Sequence, residues 1–157
     1  TKSQLLSQVW DINEQQKEIL FRKLWNYYHG DLNGKTVAIW GAAFKENTAR
    51  IQQSPIHAML KALWAQGVTV KLHDPQALAE IEKQYGHRAD LIYCTDQYEA
   101  TQNAHALCLL TAWKQYWSPD YSTLLKTMNH PLILDGRNIY DPSYVKAQGF
   151  AYMGVGR

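Results

Sequence analysis

Lys45 and Arg137 are the residues whose type and setting best suit chemistry with an anion. Lys45 lies in Gly41-Ala42-Ala43-Phe44-Lys45-Glu46-Asn47-Thr48, directly after a short apolar run from Thr36 to Trp40. An ammonium there is a point charge suited to a phosphate or a sugar hydroxyl. Arg137 lies in Asp135-Gly136-Arg137-Asn138, after the apolar run Pro131 to Leu134. Its planar guanidinium suits bidentate contact with phosphate. Each has a plainer alternative: a solvated surface lysine for Lys45, and an ion pair with Asp135 or Asp141 for Arg137.

Other chemistries find little support. Cys94 and Cys108 sit in strand-like apolar runs, with no histidine or helix start beside them, so both read as core residues. The six histidines, at 29, 57, 73, 87, 105 and 130, form no HxxxH or Cys/His cluster, so no metal site is expected. Gly41-Ala42-Ala43-Phe44 lacks the second and third glycines of a dinucleotide fingerprint. Trp113 reads as a core aromatic.

The elements that must position Lys45 and Arg137 follow from hydrophobic period and punctuation. Residues 3–28 read as one long helix on the recurrence of Leu5, Leu6, Val9, Ile12, Ile19, Leu20, Leu24, Tyr27 and Tyr28, ended by Gly30 and the turn to Gly34. A helix this long at the start of a small domain suggests a cut within or just before a larger element. It is either an ordinary packing helix or an interdomain linker with a face for a partner chain. Strands are expected at Thr36–Trp40, Val68–Leu72, Leu91–Cys94, Ala106–Leu110, Pro131–Leu134 and Phe150–Met153. Helices are expected at Pro55–Gln66, residues 76–84, Gln97–Gln102, Tyr121–Met128 and Ser143–Gln148, with Ser54 as N-cap and Pro55 at the first helical position of one of them.

This alternation predicts an α/β fold: a Rossmann-like three-layer sandwich with a parallel sheet, preceded by the long helix. Strand one should lie between strands two and four, and ligands should bind beyond the carboxyl ends of the strands at that reversal. About ten residues separate Gly41 from Ser54, against roughly 2–6 in a typical βα loop. Such a loop at that edge points to a site.

Composition narrows the partners. The 157 residues suit one domain, and 46% hydrophobic content can fill a core. Lys plus Arg number 16 against 14 Asp plus Glu, with no block of one sign, so neither nucleic acid nor a membrane is implied. No signal peptide or membrane span is seen, and two cysteines fit a reduced, cytoplasmic setting.

The order of short motifs resembles the UDP-glucose/GDP-mannose dehydrogenase family. The motifs are Gly41 to Thr48, Ser54-Pro55, His73-Asp74-Pro75, Asp96-Gln97-Tyr98-Glu99-Ala100, Leu110-Thr111-Ala112-Trp113, Asp135-Gly136-Arg137-Asn138-Ile139-Tyr140-Asp141-Pro142, and Gly149 to Arg157. Residues 1–33 resemble the end of the family's central helical region and 34–157 its nucleotide-sugar domain. The resemblance implies an NAD-dependent enzyme that oxidises the C6 alcohol of a UDP-sugar twice, giving UDP-glucuronate from UDP-glucose, and that pairs as a homodimer. GDP-mannose or UDP-N-acetyl sugars are alternative substrates. It implies that Phe44, Lys45 and Arg137 contact substrate, and that the catalytic cysteine and most of the NAD site belong to parts absent here. This chain alone is then expected to be inactive.

Where the family reads Phe-Lys-x-x-Thr-x-Asp-x-Arg-Glu-Ser/Ala-Pro, this chain has Arg50, Gln52 and Gln53 at the Asp, Arg and Glu positions, and Ala112 replaces a Glu. The family arginine contacts the cofactor. Gln52 cannot supply that charge, and Arg50 is the candidate substitute. The alternative is a degenerate module that binds nucleotide or supports assembly.

Overall fold

The computed structural model describes residues 18–157. Six strands, β1 (Thr36–Trp40), β2 (Thr69–His73), β3 (Leu91–Tyr93), β4 (Ala106–Leu109), β5 (Leu132–Asp135) and β6 (Ala151–Gly154), form one sheet in the order β3-β2-β1-β4-β5-β6. Every pairing is parallel. The expected Rossmann-like sandwich and its order are thus observed, with β1 between β2 and β4. A parallel strand covered on both faces reads as a nearly continuous apolar run. Accordingly β4 and β5 are buried at every residue, whereas β3, at one edge, leaves Ile92 exposed.

Helices α1 (18–27), α2 (Ile56–Ala65), α3 (Leu78–Tyr85), α4 (Gln97–Ala100), α5 (Tyr121–Thr127) and α6 (Pro142–Ala147) supply the crossovers and the covering layers. The β1 bounds are as expected, and those of the other elements shift by at most two residues. Pro55 stands one position earlier than expected, before the first helical residue, and the Ser54 hydroxyl accepts the Ile56 N–H at 3.1 Å. A single 3-10 turn, Lys114–Tyr116, was not expected. It brings Tyr116 into the core, where its ring stacks on Trp40 at 4.9 Å.

The expected helix over 3–28 is described from residue 18; its earlier part lies outside the described residues. Leu20 and Leu24, one turn apart, bury their side chains in the same core as the sheet. Gly136 has no Cβ because one would fall 2.8 Å from Leu20 Cδ1 and from the Leu109 carbonyl. The end of β5 therefore passes directly beneath α1. The Tyr28 hydroxyl donates to the His105 carbonyl, and Lys23 Nζ donates to the Gly154 carbonyl. Among the described residues no helix is long and apolar enough to cross a membrane.

Leu24 is fully buried. Leu24→Ala should cost about 2–5 kcal/mol by loss of burial plus an unfilled cavity. Denaturant unfolding followed by circular dichroism measures this. A cost under about 0.5 kcal/mol, the scale of a neutral surface change, would mean that α1 is dispensable to the domain.

Candidate functional site

The carboxyl ends of β1, β2 and β4 converge on one buried carboxylate. Asp74, directly after β2, is 3% exposed. Its Oδ2 accepts the N–H of Ala42 at 2.8 Å, the N–H of Ala43 at 3.0 Å and the Trp113 indole Nε1–H at 3.0 Å. Its Oδ1 accepts the N–H groups of Gln76 and Ala77, each at 2.8 Å. A carboxylate with both oxygens surrounded by donors satisfies backbone amides of two loops and the indole N–H of a third at once. Two further bonds close the arrangement. The Thr111 hydroxyl donates to the Ala43 carbonyl at 2.7 Å, and the Ser54 hydroxyl donates to the Ala42 carbonyl at 2.8 Å. Gly41 has φ +101°, and a Cβ there would lie 2.5 Å from Thr111, so only glycine fits.

This frame presents the β1–α2 loop. The Phe44 N–H donates to the Arg50 carbonyl at 2.7 Å, folding the intervening residues into an exposed turn. Lys45 stands exposed in that turn. The Arg50 guanidinium lies 5.5 Å from the centre of the Phe44 ring, a cation–π distance. Phe44 is 37% exposed, a high value for so apolar a side chain. Gln52 and Gln53 are exposed, Gln53 with φ +63°. His57 steadies the loop's far end, its Nε2 2.7 Å from the Ile51 carbonyl and its Nδ1 2.5 Å from the Tyr85 hydroxyl.

A second buried acid organises the loop after β5. Asp135 is fully buried; its Oδ1 accepts the Arg137 N–H at 3.0 Å, and its Oδ2 accepts the Tyr140 N–H at 2.9 Å and the Tyr152 hydroxyl at 2.8 Å. Asp141 caps α6 through the Ser143 N–H. Both acids considered as side-chain partners for Arg137 thus turn their oxygens to other donors, backbone N–H groups and the Tyr152 hydroxyl. Arg137 is exposed, and among the described residues neither it nor Lys45 forms an ion pair. The sheet brings Phe44, Lys45, Arg50 and Gln52, after β1, to the same end as Arg137, after β5, with β4 between them.

The sequence places Asp74 in the His73-Asp74-Pro75 motif but gives it no role, and it does not reveal the polar role of Trp113. Trp113 is buried, as expected of a core aromatic, but its indole N–H also helps hold Asp74. The available signal was an acid between a strand end and a proline, at the edge where β1 and β4 part. The β1 turn does not fit a dinucleotide pyrophosphate. The Ala42 and Ala43 amides that would face it are bonded to Asp74, and Gly41 is closed off by Thr111.

Asp74→Asn should destabilise the fold by roughly 2–4 kcal/mol, because an amide N–H₂ would replace one acceptor among converging donors. Chemical denaturation checks this, and a loss below about 0.5 kcal/mol would remove Asp74 as the organising group. His73, whose Nδ1 lies 2.6 Å from the Tyr116 hydroxyl, is held below the ordinary imidazole value of 6.5 by burial, against the opposing pull of Asp74 and Asp96. Burial likewise lowers His105. The unfolded chain therefore binds these protons first in acid. The stability of the neutral forms is fully present above 6.5 and is lost as pH falls toward the folded values. Unfolding free energies should fall between about pH 7.5 and pH 5, and less steeply in His73→Gln. Equal slopes would assign the acid sensitivity elsewhere.

Comparison with known proteins identifies the family. Residues 38–142 match the family model described as "UDP-glucose/GDP-mannose dehydrogenase family, UDP binding domain". A UDP-glucose 6-dehydrogenase of Pseudomonas aeruginosa is 40% identical over 99% of this chain, and one of Rhizobium meliloti is 33% identical over all of it. The chain spans 35% of the length of each. The solved structure of a UDP-glucose dehydrogenase from Pyrobaculum islandicum superposes with a TM-score of 0.77 at 26% identity, over 94% of this chain and 31% of that one. A likeness at 16% identity to a shikimate dehydrogenase from Aquifex aeolicus, with a TM-score of 0.59, covering 88% of this chain and 49% of that one, reflects the shared fold alone. With the matched region running from inside β1 to the start of α6, and so across both loops that carry the exposed cations, the chain belongs to the UDP-glucose/GDP-mannose dehydrogenase family and carries its UDP-binding domain.

Proposed function

We propose that this chain is the nucleotide-sugar-binding part of an NAD-dependent UDP-glucose 6-dehydrogenase, which oxidises the C6 alcohol of UDP-glucose to the acid of UDP-glucuronate, a building block for polysaccharides. The observation that carries this reading is the placement of two exposed cations, Lys45 and Arg137, on loops at one end of a sheet whose family model is described as UDP-binding. The diphosphate of a UDP-sugar is the anion such a pair suits: Lys45 as a point charge, Arg137 as a bidentate fork. Phe44, beside Lys45, offers an apolar face to the ligand's ring atoms.

The redox chemistry belongs to the rest of the protein. A covalent intermediate needs a thiolate, yet burial pushes the Cys94 thiol up to about 11 and the Cys108 thiol up to about 12, so both stay protonated near neutrality. NAD is likewise assigned mainly to the part this chain does not span, since the β1 turn offers it no cradle. Arg50 and Gln52, on the exposed loop, are this chain's contribution toward it, with Arg50 supplying the charge that Gln52 lacks. Residues 1–33 complete a central helical region through which the full-length protein forms a homodimer in the cytoplasm. Residues 34–157 hold the UDP-sugar.

A second reading, a degenerate nucleotide-binding or assembly module, draws on Arg50, Gln52, Gln53 and Ala112, which depart from the family pattern. A full-length protein with near-zero activity that rises strongly in Gln52→Arg would favour it.

Calorimetric titration of the chain with UDP-glucose, UDP and GDP tests the first reading. Uridine-selective binding is expected, weakened in Lys45→Ala and weakened by roughly 1.5–3 kcal/mol in Arg137→Ala. A binding constant unchanged by Arg137→Ala would remove Arg137 from the site.

A further inference from the structure

The backbone around Arg137 is held in place by residues of β6 and the segment after it. The Arg157 guanidinium reaches back across the β5–α6 loop: Nη2 lies 2.9 Å from the Asn138 carbonyl, 2.8 Å from the Tyr140 carbonyl and 3.3 Å from the Tyr152 hydroxyl. That hydroxyl in turn donates to Asp135, whose other oxygen accepts the Arg137 N–H. The Asn138 side chain makes a reciprocal amide pair with Val155, its Nδ2 donating to the Val155 carbonyl and its Oδ1 accepting the Val155 N–H, both at 2.8 Å. Asn138 itself has φ +54°, a left-handed conformation that asparagine tolerates better than most residues.

Gly154 makes the room. A Cβ there would fall 2.5 Å from Asn138 Oδ1, 3.0 Å from Arg157 Cγ and 3.1 Å from the Tyr152 hydroxyl oxygen. Its φ is not among the positive ones, so the requirement is for space rather than for backbone freedom. The peptide group before Arg137 is thus held through Asp135 and Tyr152, and the one after Asn138 through Arg157, so β6 and the residues after it fix the chain on either side of the Arg137–Asn138 step. A ligand-binding loop fixed in advance loses less conformational freedom on binding.

We infer that Arg157, acting with Asn138 and Gly154, positions Arg137 for the diphosphate of a UDP-sugar without itself touching the ligand. The inference rests on the proposed reading of Arg137 as the diphosphate contact. It differs from a merely structural role in one consequence: the effect of Arg157 on ligand affinity must pass through Arg137.

The test is calorimetric titration of UDP into the chain carrying Arg157→Met, Arg157→Lys or Gly154→Ala, each with Arg137 present and in the Arg137→Ala background. Arg157→Met should weaken UDP binding about tenfold, the order of loss that a small misplacement of a binding group produces. Arg157→Lys should recover part of this, since an ammonium can still reach one of the two carbonyls. Gly154→Ala should weaken binding without changing charge. In the Arg137→Ala background all three should have no further effect. A lost field of positive charge, or general loosening of the fold, would persist without Arg137, so equal losses in both backgrounds would overturn the inference. So would unchanged UDP affinity in Arg157→Met and Gly154→Ala when Arg137→Ala weakens it. Should Arg157→Met not fold, the lysine and alanine variants carry the same comparisons. Unchanged affinity in Arg137→Ala itself, or no UDP binding by the unsubstituted chain, would instead remove the proposed site and this inference with it.

Discussion

Asp74 ties together loops that would otherwise be independent. The ends of β1 and β2 and the loop after β4 have no reason of their own to share a geometry, since each brings its own N–H donors to the edge of the sheet. One buried carboxylate accepts from Ala42, Ala43, Gln76, Ala77 and Trp113 and so fixes them relative to one another. Asp135 repeats the device at the end of β5, accepting from Arg137, Tyr140 and Tyr152. Both acids follow from the same constraint: buried donors must be paired, and a carboxylate can pair several at once. Each lies behind a loop that carries one of the exposed cations.

This use of the backbone decides how the edge can meet an anion. In many doubly wound sheets the first turn offers its amides to a phosphate. Here those of Ala42 and Ala43 are already bonded, and Thr111 fills the space beside Gly41. Positive charge at this end therefore comes from side chains. Lys45 and Arg137 are long enough to reach past the occupied turns, and with the loops beneath them bonded to buried acids, their freedom lies mainly in the side chains themselves.

The fold was legible because its signals are local. Uninterrupted apolar runs such as Ala106 to Leu109 read as buried parallel strands, and turns such as Gly67 and Gly149 marked the helix ends. The strand order followed from crossover rules rather than from any residue. The frame of the site was not legible, because its bonds are long-range. Trp113 and Asp74 stand 39 positions apart, and nothing near either predicts that they meet. The 3-10 turn at Lys114–Tyr116 escaped for a similar reason: Tyr116 is drawn inward by stacking on Trp40, 76 residues earlier in the chain (116 − 40). Position and charge single out Lys45 and Arg137, and both are exposed at that end of the sheet. Whether either pairs with a neighbouring acid could be read only from where Asp135 and Asp141 send their oxygens.

The departures from the family pattern bear on the same distinction between frame and surface. Gly41, Asp74, Thr111, Trp113, Asp135 and Gly136 are present, and each is explained by a contact or a space inside the domain. Arg50, Gln52 and Gln53 lie on the exposed stretch of the β1–α2 loop, beyond the reach of Asp74. Changes there leave Gly41, Asp74 and Thr111 in place beneath Lys45 and alter what the loop can touch across the edge. Replacing an arginine by Gln52 removes a charge at one point of the rim, while Arg50, stacked over Phe44, places one close by. The frame and the cations it presents are therefore separable from the identity of the rim, and a change in what the rim contacts need not disturb the placement of Lys45 and Arg137.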